Sequence, residues 1–178
     1  LSEVPELRQL LARSHPEVVL FAGDPDGLRD EEILNYLKCL LTWLDCHEEE
    51  WGPHPSASRL RKLARAGLEA QVVDMLRVAK SDTARSHLLQ WCQAGQYRAA
   101  LSYACETALD VTRSARVRAV AVRVVCACDD SAGRVQLRSL WKDNDEDVRC
   151  ELVPCLIADV LVGRELVAFV AAGKGLSF

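Results

Sequence analysis

Residues 145-DEDVRCELVPCL-156 repeat the pattern of 114-SARVRAVAVRVV-125 at a shift of 31, setting Val148 on Val117 and Arg149 on Arg118 with most apolar positions in register. A looser copy, 81-SDTARSHLLQWC-92, brings Arg85 onto Arg118 at a shift of 33. Each copy is a polar start, an arginine and then an apolar helical pattern. A unit of this length holds two helices, and neither can bury its apolar face without a neighbour. Successive units are therefore expected to stack, which constrains the fold more than any other feature of the chain.

Helical periodicity dominates elsewhere, and strand signals are nearly absent. In 28-LRDEEILNYLKCLLTWLDC-46, Ile33, Leu37, Leu40, Leu41 and Leu44 recur at threes and fours, while Asp30, Glu31 and Glu32 load the first turn with negative charge. That predicts a long amphipathic helix. The Gly- and Pro-containing stretch 47-HEEEWGPHPSAS-58 reads as the main loop. Further helices are expected over about 57–66, 67–79, 82–94, 96–109, 113–127, 132–141, 146–161 and 163–172. Their separators are short, so neighbours should be antiparallel. The expected architecture is all-α, a right-handed α-α superhelix of stacked antiparallel helix pairs. Residues 1–52 would form a less regular N-terminal part around the long helix, and residues 53–178 the repeats.

In 141-WKDNDEDVRCELVPCL-156, Asp143, Asp145 and Asp147 stand at the alternate positions with which a calcium loop begins. Such a loop needs a glycine at its sixth position and a bidentate glutamate at its twelfth, where this chain has Val148 and Pro154. The three acids are instead cap candidates for the helix of a repeat, favoured by the positive end of its dipole.

The turn-Asp-Val-Arg pattern of 147-DVR-149, and more loosely 116-RVR-118, resembles HEAT-type helical repeats. The succession 14-SHPEVVLFAGDPDGLRDEEILNYLKCLL-41, 60-LRKLARAGLEAQVVDML-76, 85-RSHLLQWCQAGQYRAALSYACETALD-110 and 117-VRAVAVRVV-125 resembles the helical region that follows the ATPase module of bacterial NACHT-like STAND ATPases. Those proteins are nucleotide-controlled signalling switches, many linked to defence against phage. The resemblance implies a HEAT-like α-solenoid working as a scaffold beside a nucleotide switch. It lies in apolar and turn positions, not in a catalytic motif. Arg29, where a Ser or Thr cap would be usual, and Pro154, inside a helix, depart from the pattern.

With 49% hydrophobic and 27% charged residues in 178, the chain has the balance of a soluble globular protein, and its net charge of -4 argues against a dedicated nucleic-acid or acidic-membrane binder. No run reaches the length of a membrane span. The eight cysteines (Cys39, Cys46, Cys92, Cys105, Cys126, Cys128, Cys150 and Cys155) fall inside helical patterns and read as small buried hydrophobes of a reducing, cytoplasmic compartment. A first residue of Leu rather than Met fits a piece of something longer.

Candidate chemistry is weak by spacing. The Gly-Lys of 172-AGKGLSF-178 lacks the flanking strand and helix of a phosphate loop. Cys39, Cys46, His47 and His54 match no common zinc spacing. Cys126 and Cys128 point to different sides of a helix and make a poor chelate, and nothing marks His87 or Cys92 as activated. The basic runs 59-RLRKLAR-65 and 113-RSARVRAVAVR-123 could form a positive stripe of the kind HEAT-like DNA glycosylases lay on a duplex. Trp43, Trp51, Trp91 and Trp141 would supply aromatics, but their apolar neighbours mark them as core. No catalytic, cofactor-binding or metal-binding residue is assigned and no cofactor is expected. The expected function is a non-catalytic helical-repeat scaffold of a larger STAND-type ATPase, with a protein partner or the parent chain's own domains as its contacts and neither nucleic acid nor membrane. The alternative is a free-standing HEAT-like nucleic-acid-binding protein related to DNA glycosylases.

Overall fold

A computed structural model describes residues 10–11, 14–46, 56–128, 130–143 and 145–157. Every regular element among them is helical. The α-helices are α1 (Pro16–Ala22), α2 (Asp30–Cys46), α3 (Ala57–Leu63), α4 (Glu69–Val78), α5 (Asp82–Gly95), α6 (Leu101–Leu109), α7 (Ala115–Ala127), α8 (Ser131–Leu137) and α9 (Glu146–Ile157). Tight 3-10 turns at Ala66–Leu68, Arg98–Ala100 and Arg138–Lys142 lie where the sequence pattern runs one helix longer. The expected helix over 163–172 lies outside the described residues. The chain gathers into two compact units, one ending at Ala100 and one beginning at Leu101.

In the first unit α2 buries Ile33, Tyr36, Leu37, Leu40, Leu41 and Leu44, the stripe its periodicity predicts plus one tyrosine. Arg29 stands at its N-cap, its carbonyl taking the first helical bond from the Ile33 N–H at 3.0 Å. An arginine cannot accept a bond from the helix start, so Glu32 reaches back and accepts from the Arg29 N–H at 3.0 Å, half of a capping box. Asp26, in the turn before α2, is paired with Lys62 at 2.8 Å. Helix α1 has no counterpart among the elements expected from periodicity, being only seven residues long and opened by Pro16.

Helix α5 starts on Ser81, whose hydroxyl accepts from the Ala84 N–H at 3.0 Å. It ends on Gly95, and Gln96 after it takes the left-handed conformation, at φ 53°. Gly95 is needed for space, since a Cβ there would lie 2.8 Å from Cδ1 and Cζ of the buried Tyr97 ring. Holding a non-glycine residue left-handed costs roughly 1 kcal/mol. Gln96→Gly is therefore expected to stabilise the chain by up to about 1 kcal/mol in urea unfolding. Gly95→Ala should destabilise it by about 1–3 kcal/mol through overpacking against Tyr97.

In the second unit α6 packs on α7, and α8 on the 3-10 turn that follows it. The helices superposed by the shift of 31 also pack on each other, α7 against α9 and α6 against α8. Val117 and Val148, equivalent in the two copies, are both buried, as are Ala121 and Leu152. Helix α9 continues through Pro154.

Candidate functional site

The three arginines aligned in sequence, Arg85, Arg118 and Arg149, each bond a main-chain carbonyl. Arg85 Nη1 donates to the Lys80 carbonyl at 2.8 Å, Arg118 Nε to the Ala108 carbonyl at 3.1 Å, and Arg149 Nη1 to the Asp143 carbonyl at 2.7 Å. In each case the side chain folds back from its helix onto a carbonyl earlier in the chain.

Arg118 goes further. Its guanidinium forms two bonds to the Asp143 carboxylate, Nη1 to Oδ1 at 3.3 Å and Nη2 to Oδ2. The side chains are 6% and 11% exposed, so the pair is screened little by water. The Arg118 guanidinium holds the Asp143 carboxyl below its usual range, aided by the Asp145 N–H at 3.0 Å. A carboxyl depressed in the folded state stabilises the fold above its ordinary value of 3.8, and that contribution is lost as pH falls through the lower folded value. Acid unfolding below about pH 4 should accordingly be shallower in Asp143→Asn than in the parent, read by circular dichroism at a series of pH values.

The alternate acids divide three roles. Asp143 holds Arg118, Asp145 caps α9 by accepting from the Asp147 N–H at 3.0 Å, and Asp147 lies exposed in the first turn. The expectation of caps holds at Asp145, while the buried partner of Arg118 was not legible from spacing.

Beside the pair opens a cleft of about 650 Å³. One wall comes from the α6–α7 turn, with Leu109, Val111 and Arg113; the other carries Leu140, Asp143 and Asp145, and Arg118 lies between them. Val111 is 77% exposed and Leu109 39%. Arg113 Nε is turned onto Asp110 Oδ2 at 3.3 Å.

The basic runs are largely spent inside the molecule. Arg59 donates to the Leu20 carbonyl at 2.9 Å and to the Gly23 carbonyl. Arg65 donates to Asp30 at 2.7 Å and to the Pro25 carbonyl at 2.9 Å. With Lys62 on Asp26, this run staples the turn 22-AGDPDGL-28. In the other run Arg113, Arg118 and Arg123 pair with Asp110, Asp143 and Glu151.

The cysteines depart in part from the reading of buried thiols. Cys92, Cys105 and Cys128 are buried, but Cys46 and Cys150 are exposed and Cys39 half-buried. These two point away from the buried stripe of their helices. Cys126 is disulfide-bonded, against the expectation of a reduced set. Burial, with Asp130 beside it, pushes the Cys105 thiol up, which makes it inert. His87 and Cys92 are both buried within α5. No group of three or more His, Cys, Asp or Glu among the described residues could hold a metal ion. His47, His54 and the 172–178 segment lie outside the described residues. Trp91 is fully buried and Trp43 half-buried, Trp51 lies outside the described residues, and only the backbone of Trp141 is described. No helix among the described residues is long and apolar enough to cross a membrane.

Comparison of the chain with models of protein families, with curated proteins and with solved structures finds no significant match.

Proposed function

We propose that the chain is a non-catalytic interaction scaffold built as a HEAT-like α-solenoid, and that it serves as the helical arm of a nucleotide-controlled STAND-type ATPase, bearing on a protein partner or on domains of its own parent chain. The observation that carries the scaffold part is the stacking of equivalent helices, α6 on α8 and α7 on α9, with the same arginine folded back in each copy. Stacked pairs present long surfaces rather than enclosed sites, which suits binding better than catalysis. The ATPase context rests on the resemblance in apolar and turn positions. Nucleic-acid binding is the weaker reading, because arginines that would have to meet phosphates are already paired with carboxylates and carbonyls.

The purified chain should be folded by circular dichroism and should not hydrolyse ATP. Hydrolysis that disappears on substituting one of this chain's own residues would overturn the scaffold reading. Retention on heparin at physiological salt would instead favour the nucleic-acid alternative.

A further inference from the structure

We infer that the cleft between the α6–α7 turn and the start of α9 is a docking groove for an extended segment of a partner protein that carries an aliphatic side chain followed closely by a lysine or arginine. The inference rests on the interaction-scaffold reading and supplies the chemistry of its partner.

The charge arrangement selects that chemistry. Two cations line the cleft and each faces an acid, Arg118 on Asp143 and Arg113 on Asp110. The remaining charged lining residue is Asp145. Its Oδ1 accepts the Asp147 N–H, and Oδ2 has no hydrogen-bond partner among the described residues. Glu146 and Asp147, exposed beside it on the first turn of α9, deepen the negative potential on that lip. Arg149, the nearest cation on the same helix, is held on the Asp143 carbonyl. Among the described residues no cation is paired with Asp145, so an arriving cation can join it, while both guanidiniums of the cleft already lie on acids and offer an arriving carboxylate less.

The opposite lip supplies the apolar half. Val111 and Leu109 place aliphatic surface in water beside Leu140, and covering it would recover the hydrophobic term for those side chains. A volume of about 650 Å³ holds a few residues, so the occupant is a strand-like segment or loop tip rather than a domain face. A contact this small binds weakly alone and gains strength when other contacts tether it.

The test is a titration of the isotope-labelled full chain, followed by amide NMR, with the peptide Gly-Leu-Val-Lys-Gly and with the same peptide carrying Glu in place of Lys. At about 1 mM, a concentration suited to weak contacts, the Lys peptide should shift amides clustered in 109–115 and 139–147. The Glu peptide should bind at least about tenfold more weakly. Asp145→Asn keeps the helix cap and Val111→Ser alters an exposed side chain, so both should fold as the parent does, and each should weaken the Lys peptide by about fivefold or more. No clustered shifts at that concentration, equal binding of the two peptides, or indifference to both variants would overturn the groove. If the peptide binds a chain that also hydrolyses ATP through its own residues, the scaffold reading falls and the groove stands. If neither binding nor hydrolysis is seen, only the groove falls.

Discussion

Arg118→Ala is expected to lower the unfolding free energy of the unit beginning at Leu101 by about 3–5 kcal/mol, because it leaves Asp143 charged, nearly buried and without its counter-ion. It also strips the Ala108 carbonyl of its donor. That is a large part of the roughly 5–15 kcal/mol that holds a domain together, so the variant should unfold at markedly lower urea. Arg118→Lys keeps the charge but not the planar fork that meets two carboxylate oxygens and a carbonyl, and should recover only part of the loss. The double variant Arg118→Met, Asp143→Leu removes both charges together and should be closer to the parent than either single truncation. If Arg118→Ala shifted stability by less than about 1 kcal/mol, the pair would be an ordinary surface ion pair and the account of the second unit would fail.

The second large effect is expected in the first unit. Trp91 is 2% exposed on α5, and truncating a buried tryptophan to alanine typically costs about 3–5 kcal/mol through lost burial and the cavity left behind. Trp91→Phe should cost less, since an aromatic ring still fills most of the space. The measurement also separates functional readings. A tryptophan that stacks on nucleic-acid bases must be accessible, and its loss would spare stability while weakening binding to a single strand. A stable Trp91→Ala variant with reduced oligonucleotide binding would therefore favour the nucleic-acid alternative.

How much of this was legible in the sequence depends on whether a signal was local. The apolar stripe of α2 could be read from periodicity because helix geometry alone decides which side chains share a face. The shift of 31 placed the packing of α7 on α9 within reach, since equivalent faces need equivalent partners. The cap at Asp145 was readable, but the grip of Asp143 on Arg118 was not, because it joins residues 25 apart through a turn whose path spacing does not determine. The same limit hid the uses of Arg59 and Arg65, which reach back 35 to 40 residues to the turn before α2. The left-handed Gln96 was not legible for a different reason. Glycine is the usual left-handed residue, but here Gly95 is the last helical residue and Gln96 after it takes that conformation.

The cleft carries no motif at all. Its parts are an exposed valine in a turn, a helix-capping aspartate and two arginines already occupied, and each has an ordinary structural role when read alone. Only their convergence on one opening gives them a joint chemistry.

The most direct test of the central claim is to read the coding DNA upstream of the Leu1 codon in the native gene. The account predicts an open frame encoding a glycine-rich loop ending in Gly-Lys-Ser or Gly-Lys-Thr, followed by a strand with an acidic end, which would make this chain the helical arm of a nucleotide switch. A start codon immediately before Leu1 would contradict it and leave a free-standing helical-repeat protein.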